Sequence, residues 1–178
     1  MKKTLKLVFV AFLAFGMTAC GGRKVTEDDL KKAEAALFND DMTANPDAAM
    51  AAVEAFCKFA KQNPDDPNAP EWLFKALEIS VSQKDAKKSE EICNWLMEAY
   101  PTYEKTPFGM FMLASLVYDD QLKDLDKARA MIEKVVADYP DSEIRSSAEA
   151  SLKFLGMTPE EIIKQLESMG DNAASEAE

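Results

Sequence analysis

A proline that recurs at nearly constant intervals, each time behind an apolar helical pattern, is the feature that most constrains the fold. It stands at Pro64, Pro101 and Pro140, so the intervals are 37 and 39 residues. Twelve, eight and five residues before each proline lie a small, a large and an apolar residue, a spacing that keeps all three on one helix face. Self-similarity at such a period indicates a repeat architecture. The nine positions are Ala52, Phe56 and Phe59; Ser89, Cys93 and Leu96; and Ala128, Ile132 and Val135.

The residues between the prolines favour helices throughout. Gly and Pro are rare inside the periodic segments, and Ala, Leu, Glu, Lys and Met are abundant. Thr26 and Asp29 have the spacing of a capping box, and Thr158-Pro159-Glu160-Glu161 has the pattern of a second helix start. We therefore predict an all-α chain. The predicted helices are 27–38, 47–62, 70–82, 86–99, 107–120, 124–138, 142–155 and a terminal helix that caps the preceding helices.

Three segments resemble the second helix of the tetratricopeptide repeat (TPR) family: "AVEAFCKFAKQNP", "SEEICNWLMEAYP" and "ARAMIEKVVADYP". The family's first-helix pattern is similar to Phe111-x2-Ala114-Ser115-x2-Tyr118, and more loosely to segments that start at Phe74 and Leu30. The resemblance covers roughly residues 27–155. It implies an α-solenoid of antiparallel helix pairs, with about three repeats and a C-terminal capping pair, in which the long period reflects longer turns.

The start of the chain has the pattern of a bacterial lipoprotein signal. Three lysines precede an apolar run over 7–15, and Thr18-Ala19 leads into Cys20 and two glycines. This resembles a lipobox, which implies cleavage before Cys20 and its acylation. With Gly21 after the cysteine, we expect the outer membrane. The expected parts are a signal peptide 1–19, a lipidated tether 20–25, a repeat domain 26–168 and a disordered acidic tail 169–178.

Charge and composition exclude several classes of function. Without residues 1–19 the chain has 18 basic and 32 acidic residues, a net charge of −14, which disfavours nucleic acid. The chain has no histidine, so Ser-His and Cys-His nucleophiles are impossible. The paired acids lack the spacing of a calcium loop. We expect no cofactor and no metal, and we expect Cys57 and Cys93 to be buried thiols.

The TPR resemblance also implies a concave protein-binding face. The "YPDS" turn and the lipobox are similar to the envelope subgroup that includes the BamD assembly lipoprotein and TolA-binding proteins. In the family's register Trp72 and Ile79 would form an apolar channel opposite Gly109 and Met112, in which Gly109 leaves room for the indole. The alternative is that the longer turns and the neighbouring helix bury Trp72 and leave no groove. The residues that this register assigns to the concave face are Lys31, Trp72, Lys75, Ile79, Gly109, Met112, Leu116 and Asp120.

Two functions of different classes remain open. The first is a lipid-anchored scaffold or adaptor, without enzymatic activity, that binds other envelope proteins in outer-membrane assembly or envelope maintenance. The alternative is a cell-wall or glycan-acting enzyme, or its accessory subunit, that uses a carboxylate pair about 5–9.5 Å apart. A nutrient-uptake lipoprotein is a further alternative, against which the chain's length counts.

The lipobox predicts a covalent lipid on Cys20. Cells fed an alkyne-bearing palmitate analogue should label the wild-type protein, because acylation of the cysteine and of its new amino terminus incorporates the chain. Intact-mass measurement of the membrane fraction should show the loss of residues 1–19. The Cys20→Ser variant should lose both signals, and a wild-type protein that is unlabelled and freely soluble would contradict the prediction.

Overall fold

The computed structural model describes residues 23–39, 41 and 43–175, and this part of the chain is all-helical, as predicted. The segment 1–19 that we predict to be a signal peptide, and Cys20, lie outside the described residues. Helix α5 continues without a break into a π-helical segment, Leu113–Gln121. The α-helices are α1 Glu27–Ala35, α2 Pro46–Gln62, α3 Ala69–Ser82, α4 Ala86–Ala99, α5 Thr106–Met112, α6 Leu125–Asp138, α7 Arg145–Leu152 and α8 Pro159–Ser175.

The three proline turns share one geometry, residue for residue. Each preceding helix ends where the residue before the proline donates its N–H to a carbonyl four positions back, at 2.9–3.1 Å. The amide two residues after the proline then donates to the carbonyl of that helix-ending residue, at 3.1 Å in all three turns. The backbone therefore forms the same hydrogen bonds at corresponding positions of all three turns. The turns are 63–68, 100–105 and 139–144.

The starts of α2, α4 and α6 repeat as well. Asn45, Asp85 and Asp124 are their N-cap residues, and each side chain accepts a hydrogen bond from the amide three residues later, at 3.0–3.2 Å. Lys84 and Lys123, which precede the two aspartates, have φ of 58° and 54°. A left-handed residue at this place ends one helix before the cap starts the next, so the hairpin turns follow one pattern.

The packing follows the repeat. All nine small-large-apolar positions before the three prolines are buried, as the periodicity predicts. Eight of them belong to one hydrophobic cluster with the inner faces of α3 and α5, which supply Leu73, Leu77 and Met110. The ninth, Ser89, is a buried polar residue whose hydroxyl group lies 3.0 Å from that of Ser80. The main packing contacts of α2 to α7 join elements that are adjacent, or one element apart, along the chain. The core is therefore assembled from neighbouring elements.

The second period is two residues longer than the first, and the difference comes from a helix and not from a longer turn. Pro70 and Pro107 are 37 residues apart, whereas the N-caps Asp85 and Asp124 are 39 apart. Both additional residues therefore lie between Pro107 and Asp124. The π-helical segment absorbs them, because a π-helix bonds i to i+5 and so has more residues per turn. The bond from the Leu122 amide to the Val117 carbonyl, at 2.9 Å, has this spacing.

The two ends of the helical chain differ from each other. At the N-terminal end, Thr26 and Asp29 form the predicted capping box, and Leu30 of α1 is fully buried. At the C-terminal end, α8 does not act as the expected cap. Ile163 and Leu166 of α8 are 57% and 51% exposed, and α8 makes no substantial packing contact with another described helix. Helix α8 also extends to Ser175, into the segment expected to be a disordered tail.

We expect Phe56→Ala and Ile132→Ala each to lower the free energy of unfolding by about 2–5 kcal/mol, because both side chains are essentially inaccessible and their removal leaves a cavity. Urea denaturation followed by circular dichroism measures the change. Glu54→Ala and Glu133→Ala are exposed neighbours on the same two helices and should change it by less than about 0.5 kcal/mol. Equal stability of the core and control variants would contradict the assigned packing.

Candidate protein-binding surfaces

The structure places Trp72 in the core and not in an open channel. Its side chain is only 8% exposed, and its ring lies 5.0 Å from the ring of Phe56 on α2, at an interplanar angle of 48°. Such tilted contacts between aromatic rings stabilise packing. Trp72 therefore joins α3 to α2 and presents little surface to a ligand.

Lys75 is engaged within the molecule. Its ammonium nitrogen lies 4.5 Å from the centroid of the Trp72 ring and 2.6 Å from Oε1 of Glu34 on α1. A cation over an indole ring and beside a carboxylate is attracted by both. This arrangement places Lys75 over the Trp72 ring and links α1 to α3, so Lys75 does not present a free ammonium group to a partner.

Gly109 does not face the indole, which corrects the expectation that its missing side chain would leave room for Trp72. A Cβ atom built on Gly109 would have Leu77, Leu96 and Phe74 as its nearest side chains, with Leu77 Cδ2 at 2.9 Å. The glycine instead permits close approach of α5 to α3 and α4. The register assigned the position to the concave face, whereas the structure buries it.

A reduced part of the predicted concave strip remains accessible. Leu116 is 47% exposed, and Ile79 and Met112 are half-buried beside the core. Asp120 is exposed and lies 3.5 Å from the ammonium of Lys123, while Lys31 is exposed on α1. Leu116 is therefore the most accessible apolar residue of the predicted strip, and Lys31 and Asp120 are its exposed charged residues.

Sequence reasoning did not find a second surface, a groove of about 800 Å³ between two of the proline turns. We call it the turn groove. One wall is the turn between α4 and α5, the other is the turn between α6 and α7, and α3 contributes Phe74 and Glu78. Its volume lies within the range of about 300–1,000 Å³ that is usual for ligand sites. The remaining lining residues used below are Tyr103, Glu104, Lys105, Phe108, Asp138, Tyr139, Asp141 and Glu143.

The turn groove exists because the repeat changes at this step. Towards the preceding turn, 63–68, the side chains of Tyr103 and Lys105 both donate hydrogen bonds to Glu71 of α3. The Lys105 nitrogen lies 2.8 Å from Oε2 of Glu71. The corresponding positions of the next turn are occupied by Ser142 and Ile144, and Phe108 occupies the position of Glu71. Since a short hydroxyl side chain replaces the tyrosine and no salt bridge can form with Phe108, the space between the turns is left open.

The electrostatics of the turn groove are strongly acidic. Lys105 is its one basic lining residue, and Glu71 already neutralises it. Although desolvation opposes the effect, hydrogen bonds from Lys105 and Tyr103 hold the pKa of Glu71 below its ordinary value. Desolvation raises the pKa of Glu78, which has no salt-bridge partner among the described residues. The groove thus contains carboxylates in excess of cations.

The two described cysteines are free thiols. Cys93 is buried at its core position, and Cys57 is half-buried on α2. Burial raises the pKa of Cys57 to about 11 and that of Cys93 to about 12. The thiolate is the reactive form of cysteine, so neither thiol is suited to act as a nucleophile at neutral pH.

No family model matches the chain, and no curated protein matches it either. Within residues 23–39, 41 and 43–175, no three Cys, Asp or Glu residues converge into a group that could hold a metal ion. None of the described helices combines the length and the apolar character needed to cross a bilayer.

The raised pKa values predict slow alkylation of both thiols in the folded protein. At pH 8 iodoacetamide should modify Cys57 at least about tenfold more slowly than it modifies the urea-unfolded chain, and Cys93 more slowly still, because the folded thiols carry little thiolate and are shielded from the reagent. Peptide mapping by mass spectrometry distinguishes the two sites from Cys20. Folded-state rates that match the unfolded rates would show that the thiols are not buried as described.

Proposed function

We propose that the protein is a lipid-anchored scaffold of the bacterial envelope that binds other proteins through the concave face of a TPR-like α-solenoid and has no enzymatic activity of its own. The observation that carries the proposal is the residue-for-residue repetition of three proline turns, with the same hydrogen bonds in each. Such repetition favours a stack of similar helix pairs, the architecture of a solenoid.

The packing pattern supports an extended surface. Elements of a solenoid contact mainly their neighbours in sequence, and the main helix contacts follow this rule from α1 to α7. A chain folded in this way has a large surface relative to its core, which suits binding of an elongated partner. Under this proposal, enzymatic chemistry is supplied by the partners.

The Leu116 strip supports the choice of the concave face. In the family's register exposed Leu116, half-buried Ile79 and Met112, and the charged residues Lys31 and Asp120 share one face, and this set has the composition of a protein-binding surface. Family members that clamp a terminal carboxylate use polar side chains where this chain has Ala35 and Ile79. We therefore propose that the partner binds through its side chains, and that Cys20 holds the complex at the outer membrane.

The binding surface can be tested by photocrosslinking in intact cells with benzoylphenylalanine at position 116. The crosslink to a specific envelope protein should fall at least tenfold when Ile79→Asp is added, since burial of a charge in an apolar contact is costly. The probe at Met50, an exposed apolar residue of α2, is the matched control and should not capture the same protein. Failure of position 116 to crosslink any specific protein would contradict the concave-face proposal.

The enzyme alternative makes a different prediction. Glu78, whose pKa is raised beside the turn groove, is the carboxyl that a glycan-cleaving reaction would use as an acid. If the wild-type protein releases soluble fragments from purified peptidoglycan and the Glu78→Gln variant does not, the enzyme alternative would replace the scaffold proposal.

A further inference from the structure

We propose that the turn groove is a second binding site, which takes an extended segment of a partner protein and places a lysine or arginine side chain between its carboxylates and against its aromatic rings. This site lies apart from the Leu116 strip and goes beyond the proposed function. The groove is open, and its walls are two chain turns whose shape the repeated hydrogen bonds fix.

The first argument is charge complementarity. Glu78, Glu104, Asp141 and Glu143 line the groove, and none of them forms a salt bridge within the described part of the chain. Asp138 is paired with Lys134, and Lys105 with Glu71. The nearby Arg145 is paired with Glu149 at 3.0 Å and donates to the Pro140 carbonyl at 3.2 Å. Four carboxylates are therefore left for a cation from outside.

The second argument is the aromatic lining. Tyr103, Phe108 and Tyr139 are half-buried, so part of each side chain is accessible beside the carboxylates. Lysine and arginine have apolar stems that pack on aromatic rings and charged ends that are attracted to ring faces and to acids. An acidic peptide would be repelled, and a wholly apolar one would leave the four carboxylates desolvated without a partner. The lining therefore selects a basic segment.

The third argument comes from comparing the turn groove with the equivalent space between the preceding two proline turns. At the preceding step of the repeat the equivalent space is occupied by the molecule itself: Lys105 binds Glu71 there, and Tyr103 packs beside it. That step shows that the space between successive turns accommodates a lysine side chain next to a tyrosine and a carboxylate. At the following step the chain supplies no lysine of its own, because Ile144 stands in its place. A partner's lysine or arginine would restore the same set of interactions.

The test uses the isotope-labelled full chain in a non-ionic detergent, titrated with the amidated peptide Gly-Ala-Lys-Pro-Lys-Ala-Gly at physiological ionic strength. Amide chemical-shift changes should concentrate in residues 102–108 and 138–143 and leave Leu116 unaffected. The same peptide with glutamine in place of lysine should cause no comparable changes. Shifts spread evenly over the acidic surface would overturn the proposal, and so would the absence of saturable shifts.

Matched variants separate a built site from general charge attraction. Asp141→Asn with Glu143→Gln should weaken binding roughly tenfold, whereas Asp47→Asn with Glu54→Gln, exposed on α2, makes the same change in net charge and should weaken it less than twofold. Phe108→Leu, checked for an unchanged thermal midpoint, should also weaken binding, because the ring face is lost. Equal losses in the two double variants would overturn the proposal.

Two further results distinguish this site from its alternatives. If spermine displaces the peptide at the same concentration as unlabelled peptide does, the groove is a site for small polycations and the peptide assignment is wrong.

Ile79→Asp should leave peptide binding unchanged, and the Asp141→Asn and Glu143→Gln pair should leave the crosslink from position 116 unchanged. Each proposed binding surface can therefore be contradicted without contradicting the other.

Discussion

Burial of one apolar face of each second helix against its neighbours is the interaction on which the remaining structure depends. Phe56, Cys93 and Ile132 occupy equivalent sites on α2, α4 and α6, and all three are inaccessible to solvent. No helix pair of this size buries enough apolar surface to be stable alone, so stability is shared between neighbouring pairs. The three turns with the same hydrogen bonds connect the helices whose apolar faces form one core cluster, to which all three sites belong.

The part of the fold that follows from periodicity was predictable from the sequence. The helix α4 has the predicted bounds, the nine periodic positions are buried, and the caps at Thr26 and Asp29 form as their spacing indicates. The π-helical segment was not predictable by the same means, since counting in steps of 3.6 assumes an α-helix throughout. Burial of Trp72 was one of two alternatives that the sequence left open, because the choice depends on how α3 packs against α2. The salt bridge between Lys75 and Glu34, residues 41 positions apart, was not predicted.

The turn groove was missed for a different reason. Sequence reasoning compared the repeats to find what they share, and Tyr100 and Tyr139, or Pro101 and Pro140, do match. The groove arises from what they do not share: Tyr103 against Ser142, and Lys105 against Ile144. Whether such a difference opens a space depends on where the longer side chains reach, and Glu71 as their common acceptor becomes apparent only in three dimensions. The signal in the sequence was the set of turn positions at which the repeats differ, and comparing those positions would have pointed to the groove.

This contrast suggests how a repeat protein acquires specific surfaces. Where successive units carry complementary residues, as at Lys105 and Glu71, the charges pair with each other and link α3 to the turn between α4 and α5. Where one unit diverges, its neighbour's aromatic rings and carboxylates lose their internal partner and become available to another molecule. Since the repeated backbone hydrogen bonds hold the turn in shape regardless of these side chains, divergence there alters binding without disrupting the fold. The departures from the repeat, more than the repeat itself, then determine what such a protein recognises.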